Sequence, residues 1–576
     1  MRRRSFLKKI PAVAGASLAL NNVPVKVMAE NSPFLRLAEQ SVNDRVLIIL
    51  QLHGGNDGLN MVIPVDKYDE YYFHRPNIAI PARNSVRKLI ELDNTKESDY
   101  KVGLHPDMIG AKDLYDRGRM ALVQGVSYPN NNGSHFRGRD IWHMGGGFED
   151  YYSSGWVGRY LQDAYKDIGQ YPEDFPNSEM LDPLAIEMGT DVSLVFHQKG
   201  NIPLSISLGG SPIDLLRDVN ALEGFEDNRQ VDPKGIPPET ILDDSPYVKE
   251  LNWILSLEDK TDEYAQRLAT VFDNAGETKV TYPVTYPFAA PTGLLGNPLS
   301  GQLINVAKLL DGGGAGQGVK TKVFLLRMGG FDTHANQVES YDPTLGGHAA
   351  KMYHISSAMQ AFQNDLRERG LEDRVLTITT SEFGRRIQSN GSFGTDHGTG
   401  APMMIFGKGV KPGILGTTPD LSKANVGMNF DYRQVYASIL QDWFEVDRNV
   451  VEQDILFGNF TDGANPDGGN FEALSLTKDQ ITSTEGFFKD RFNLYNAYPN
   501  PAVEETVISF YINTENHVKL TIFDQNGKMV KSVLNERKSQ GEHSIKVNLS
   551  GIKAGLYFYK IESGLLNESK KLIIRN

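Results

Sequence analysis

The chain has 576 residues, no cysteine and a formal net charge of −13. Without cysteine it has no disulfide, no thiolate nucleophile and no Cys-ligated zinc. Its acidity argues against a nucleic-acid partner, because phosphate binding needs clustered Lys and Arg.

The N-terminus reads Arg2-Arg3-Arg4-Ser5-Phe6-Leu7-Lys8, then a modest apolar stretch from Ile10 to Leu20, then Val27-Met28-Ala29. The apolar run is too short to span a bilayer, and the small-residue pattern after it suits cleavage. Residues 1–29 therefore read as a signal peptide. The paired arginines resemble the twin-arginine export motif; an ordinary secretory signal with three arginines is the alternative. The mature chain is expected to carry no transmembrane segment.

Arg45 to Leu52 is a continuous apolar run, which predicts a buried, parallel-type strand. It ends in His53-Gly54-Gly55-Asn56-Asp57-Gly58-Leu59-Asn60, where glycines permit tight turns and close backbone approach. His53 and Asp57 can both face the carboxyl edge of the sheet. His105-Pro106-Asp107 predicts a helix start, running to about Arg117. Met120 to Val126 is a further strand. After the polar loop Tyr128 to Gly133, Ser134 is placed as an N-cap of a helix through Trp142. A serine there either caps the helix or presents a nucleophile where the helix end stabilises anions.

Residues 156–318 read as an insertion over the sheet, with a helical segment from Tyr247 to Phe272, shaping access to the site. Val323 to Met328 then leads into Gly330-Phe331-Asp332-Thr333-His334. Met352, Ile355, Met359, Phe362 and Leu366 fall at helical spacing, and His354 lies off that stripe, where it reads as solvated or structural. Val375 to Thr380 leads into Ser381-Glu382-Phe383-Gly384-Arg385. Thr395-Asp396-His397-Gly398 precedes the run Met403 to Phe406. Tyr432 to Phe444 closes the domain as an amphipathic helix. Strands alternating with helices predict a mostly parallel sheet flanked by helices. Asp, Glu and His at strand ends are a ligand set for a divalent metal: Zn, Mn, Mg or Ca, with imidazole tilting toward Zn and Mn.

Residues 461–489, rich in Gly, Asp, Ser and Thr, read as a linker. Residues 490–576 read as a small antiparallel sandwich of short strands. Tyr498-Pro499-Asn500-Pro501, Asp524 to Lys528, Ala554-Gly555-Leu556-Tyr557 and the final Lys571-Leu572-Ile573-Ile574 resemble the type A C-terminal sorting domain of type IX secretion. That resemblance implies export across an outer membrane to the cell surface or beyond, with the twin-arginine and type IX machineries as partners. A carbohydrate-binding sandwich is the alternative.

The phrases Gly54 to Asn60, Gly330 to His334 and Ser381 to Arg385 resemble domain of unknown function family 1501, over roughly 44–460. The order of parts is similar to the alkaline phosphatase and sulfatase superfamily. That resemblance implies an α/β fold and hydrolysis of sulfate or phosphate esters, on small molecules or polysaccharides. Carried over by position, Asp332, His334, Glu382 and His397, with Asp57 or His53, are the implied metal ligands. Ser134 takes the nucleophile's place, and Arg137 or Arg385 would hold the ester oxygens; a structural ion pair is the other reading of Arg385. Glu382-Phe383 stands where the superfamily has adjacent Asp and His. A fold that binds a glycan without turnover is therefore the second expectation.

Overall fold

The computed structural model describes residues 44–201 and 267–478 and most of 492–576, apart from short breaks, together with a strand pair at Ser17–Leu20 and Val23–Lys26. The rest of the expected signal peptide and most of the expected helix over 247–272 lie outside the described residues, although 267–274 is helical. The chain divides into two compact units, one through Lys478 and one from Asp479.

The first unit is built on an eight-stranded sheet. Its strands are β1 (Val46–Leu52), β2 (Met120–Ser127), β3 (Ala185–Met188), β4 (Val323–Met328), β5 (Val375–Thr380), β6 (Ala401–Phe406), β7 (Gly413–Leu415) and β8 (Phe430–Asp431). The order is β7-β2-β6-β5-β1-β4-β3, with β8 also on β2. Five of the pairings are parallel, and only β6 runs antiparallel to its neighbours β5 and β2. The sheet is mostly parallel, as the alternation of strands and helices predicts. All seven residues of β1 are buried, which explains its unbroken apolar sequence: both faces are covered.

Helices α1 (Ile109–Asp116), α2 (His135–Met144), α3 (Trp156–Tyr165), α4 (Pro298–Asp311), α5 (Gly347–Glu368) and α6 (Tyr432–Ser438) flank the sheet. Alternate residues of β1 feed two separate cores. Ile48 and Leu50 pack with Leu303 of α4 and Met352 and Phe362 of α5. Leu47 and Ile49 pack with Trp142, Trp156 and Tyr436. Helix α6 has a reciprocal capping box between Asp431 and Gln434 and widens into a π-helical turn at Ile439–Trp443.

Several expectations change. The 156–318 region is not only a cover, since β3 and α4 belong to the sheet and its helical layer. The helix after His105 begins at Ile109, so His105 and Asp107 lie in the preceding turn. His354 is buried, its Nε2 2.9 Å from the Leu294 carbonyl. The first part of the expected linker pairs as strands, Asp462–Ala464 with Asn470–Glu472, and buries Phe471, Leu474 and Leu476 in the first unit.

The second unit is the expected antiparallel sandwich. A three-stranded sheet is centred on Glu505–Ile512. A four-stranded sheet is centred on Asn516–Asp524 and Gly555–Ser563. Val518, Leu520 and Ile522 alternate inward to meet Ile508, Phe510 and Ile561, the period-two pattern of a half-buried strand.

Two buried histidines make the first unit acid-sensitive. Burial first, then the charges of Arg139 and Arg327, push His143 down to about 3. Burial lowers His348 to about 4, against the opposing pull of Asp57. Both are neutral when folded, and the unfolded chain takes up their protons below about pH 6.5, so stability falls as pH drops. Each histidine should remove about 2 kcal/mol by pH 5. Urea titrations at pH 7.5 and 5.0 should show a smaller loss in His143→Gln than in the parent; equal losses would contradict the assignment.

Candidate metal centre at the carboxyl edge of the sheet

Strands β5, β1 and β4 lie side by side and parallel, with Thr380 level with Gln51 and Gln51 level with Arg327. Their carboxyl ends therefore open at one edge, where α/β sheets gather functional loops. His53 follows β1, Asp332 lies four residues beyond β4, and Glu382 two beyond β5. A hairpin of Arg385–Ser389 and Thr395–His397 adds His397, and the start of α2 adds His135.

The loops are pressed together closely. Gly54 has φ of +123°, and a Cβ there would sit 2.3 Å from the Asp332 backbone nitrogen. A Cβ on Gly138 would meet the Glu382 carbonyl oxygen at 2.9 Å, so α2 rests directly on the Glu382 loop.

Asp332 is the centre of the cluster. Its Oδ1 lies 3.2 Å from His334 Nε2 and 3.3 Å from His397 Nε2, and its Oδ2 lies 3.6 Å from His135 Nε2. The two imidazole nitrogens of His334 and His397 are 2.9 Å apart. Donor atoms of His135, Asp332 and His397 all fall within 4.8 Å of one another. Donors around a tetrahedral zinc, at bond lengths of about 2.0–2.1 Å, stand roughly 3.3 Å apart. The spacing here brackets that value.

The far nitrogens show which ring atoms face inward. His397 Nδ1 is 2.8 Å from the Gly133 carbonyl, which only accepts, so Nδ1 carries the hydrogen. His135 Nδ1 is 2.9 Å from Glu382 Oε1, an atom that also accepts the Gly54 N–H at 2.8 Å. A longer contact of 3.4 Å joins His334 Nδ1 to Asp396. Each ring thus turns Nε2 toward Asp332. Tying the outer nitrogen to a carbonyl or carboxylate is how metal-binding imidazoles are held. His135 Nε2 is buried with no hydrogen-bond partner among the described residues, the condition of a nitrogen that a cation would satisfy.

Electrostatics agree. Burial alone would raise the Asp332 carboxyl, but the hydrogen bond and charge of Arg385 outweigh it and hold the group below its usual value. Burial, then the Arg385 charge, lowers His397. The cluster therefore presents an ionised carboxylate beside a neutral imidazole near pH 7. These residues fit a divalent metal, with His135, Asp332 and His397 as the holding set and His334 beside Asp332 and His397.

The other expected residues are placed as follows. His53 lies at the margin, its Nδ1 3.5 Å from Glu382 Oε1. Asp57 is not in the cluster: fully buried, it pairs through both oxygens with Arg75 at 2.7 and 2.8 Å and accepts from Gln337 at 2.5 Å. Burial would raise its carboxyl, and Arg75 brings it down instead. Arg385 is buried and fully occupied by the carbonyls of Gly54, Gly55, Phe331 and Thr395 and by Asp332 Oδ1, the last at 2.6 Å. It cannot hold an ester as expected, because its side chain is closed off from solvent. Arg137 turns to the carbonyls of Phe148 and Asp150 and stacks over Tyr151 at 3.9 Å. Ser134 caps α2, accepting the Arg137 N–H at 3.3 Å, and no acceptor for its own hydrogen lies among the described hydrogen bonds.

Sequence reading missed His135 and Arg139. The signal was spacing: His135, Arg139 and His143 recur every four residues and share one face of α2. The Arg139 side chain is 31 % exposed, its ion pair being with its neighbour Asp140 at 3.9 Å. Its charge, with that of Arg327, acts on both His53 and His143.

Residues 314–452 match the model of a protein family of unknown function, DUF1501. Residues 496–575 match the secretion system C-terminal sorting domain, which carries the expected export to the outer-membrane surface or the extracellular space. No curated protein matches. Among solved structures, dimeric latent PorU from Porphyromonas gingivalis aligns with 17 % of this chain and 10 % of its own, at 20 % identity and a TM-score of 0.13. The PsFucS1 sulfatase from Pseudoalteromonas sp. aligns over 89 % of this chain and 86 % of its own, at 11 % identity and a TM-score of 0.31. Alkaline phosphatase from the Antarctic bacterium TAB5 aligns over 70 % and 99 %, at 10 % identity and a TM-score of 0.27. Among the described residues, no helix is long and apolar enough to cross a membrane.

Replacing Arg75 separates fold from site. Arg75→Met leaves Asp57 as a buried, unpaired charge and should cost about 3–5 kcal/mol in urea unfolding. Metal content of the surviving folded fraction should not change. A loss of metal equal to that in Asp332→Ala would place Asp57 in the centre after all.

Proposed function

We propose that this chain is an exported, metal-dependent hydrolase of sulfate or phosphate esters, perched at the carboxyl edge of the sheet and delivered to the surface by its sorting domain. One observation carries the reading: the inward-facing imidazoles of His135, His334 and His397 converge on the ionised carboxylate of Asp332. A divalent metal held there would polarise a bound ester oxygen and acidify a nearby hydroxyl or water.

The chain's own groups supply the remainder. Ser134 sits at the N-terminus of α2, beside His135, with no acceptor for its hydrogen among the described residues; it is the candidate nucleophile. The N-terminal N–H groups of α2 favour an anion at that point. Arg139, one turn further along the same helix, replaces Arg137 and Arg385 as the arginine free to meet a sulfate or phosphate group. Arg385 keeps Asp332 charged and lowers His397.

A second reading, an exported protein that binds an anionic glycan without turnover, is favoured by the engagement of Arg137 and Arg385 in the fold. The two readings part on one experiment. The full-length protein should retain close to one equivalent of zinc or manganese, lost in Asp332→Ala/His334→Ala. The loaded protein should cleave members of an aryl and glycan sulfate and phosphate ester panel. Ser134→Ala should lower turnover by at least about a hundredfold if the hydroxyl attacks, as removal of a nucleophile does. Metal with no turnover on any ester would favour the binding reading; no metal in the parent would remove the hydrolase mechanism.

A further inference from the structure

Glu382 stands among the ligands when the chain is read by resemblance alone, yet its surroundings give it another place. The side chain is completely inaccessible to solvent. Its Oε1 already accepts the Gly54 N–H at 2.8 Å and faces His135 Nδ1 at 2.9 Å, with His53 Nδ1 at 3.5 Å. Oε1, committed to two donors, has little left for a cation, while Oε2 is buried with no hydrogen-bond partner among the described residues. The donor atoms that converge belong to His135, Asp332 and His397 and not to Glu382, and the nitrogen that Oε1 meets is the outer one of His135, not the inner one. We infer that Glu382 is a positioning residue: it fixes His135 with its hydrogen on Nδ1, so that the bare Nε2 faces Asp332.

This inference rests on the metal reading above for its purpose, but not for its geometry. The hold on His135 is built from several sides. Helix α2 lies against the Glu382 backbone at Gly138. The ring of Phe383 packs on His135 at a centroid distance of 4.8 Å and on His397 at 4.5 Å. The Ser381 hydroxyl joins the Leu52 carbonyl, the Phe383 carbonyl and the Asn56 N–H, so the Ser381-Glu382-Phe383 turn is locked to the end of β1. A carboxylate pinned this firmly can select one tautomer of its partner ring. The other would place a lone pair against the carboxylate and a hydrogen against the cluster. Outer-shell carboxylates of this kind strengthen metal binding by about 10–100-fold.

The test uses the full-length protein, with zinc as the probe, in Glu382→Met, which removes the oxygen that meets His135 Nδ1; a Gln oxygen in the same place would keep that hydrogen bond. Zinc affinity is measured by competition with a chelator, beside Asp332→Ala and His397→Ala, and folding by thermal melting. Zinc should bind Glu382→Met about 10–100-fold more weakly than the parent, yet more tightly than Asp332→Ala. The second readout needs no metal: nitrogen NMR of 15N-histidine-labelled, zinc-free protein, with His135→Gln used to assign the signal. The parent should show His135 hydrogenated at Nδ1, and Glu382→Met should shift it toward a tautomer mixture. Unchanged affinity together with an unchanged tautomer would overturn the inference. A loss of zinc as complete as in Asp332→Ala would overturn it too, making Glu382 a ligand. If the parent binds no zinc, the metal reading fails by itself, and the His135 tautomer still decides whether Glu382 positions the ring.

Discussion

A buried guanidinium holds this site together. Arg385 is almost wholly removed from water and donates to the carbonyls of Gly54, Gly55, Phe331 and Thr395 and to the Asp332 carboxylate. A buried charge is tolerable only when its hydrogen bonds are complete. Satisfying Arg385 therefore requires three separate segments to meet: the loop after β1, the loop after β4 and the late hairpin. The convergence of Asp332 and His397 follows from that requirement. So does the charge of Asp332, since its carboxylate is the anionic partner in the set.

Around that core, the histidines are held by their outer nitrogens. Gly133 holds His397, Glu382 holds His135, and Asp396 lies beside His334. Ring tautomers set this way give a fixed direction to the inner lone pairs before any ligand arrives. Preorganisation of this kind lowers the ordering cost of binding, and it places the specificity of the site in backbone positions as much as in side chains. Asp57 and Arg75 form a second buried pair nearby, and their role is to hold the Gly54-to-Asn60 loop rather than to face the cluster.

Much of this was legible in the sequence. The apolar runs of β1, β4 and β5 identify buried parallel strands, and the chemistry-bearing residues follow them directly, so the sheet edge could be read without coordinates. Asp332 and His334 were legible for that reason, and His397 because its segment stands just before the apolar run Met403 to Phe406. Asp57 was not correctly legible, because a carboxylate after a strand looks the same whether it faces a ligand or a distant buried arginine; Arg75 lies 18 residues on in sequence. His135 was overshadowed by Ser134, whose capping role drew the helix start. Glu382 was placed at the sheet edge, but that its Oε1 meets the outer nitrogen of His135 was not legible, since spacing reports proximity and not which atom of a ring a carboxylate meets. The sheet role of 185–188 was hidden by its brevity, four residues between irregular segments. The sandwich of the second unit was readable in full outline, because its period-two alternation is local.

The central proposal is that His135, Asp332 and His397 share a single cation. X-ray absorption at the zinc edge of the zinc-loaded full-length protein tests it most directly. The account predicts a nitrogen and oxygen shell at about 2.0–2.1 Å with outer scattering from at least two imidazoles. A zinc shell with one imidazole or none, or protein that retains no zinc, would contradict it.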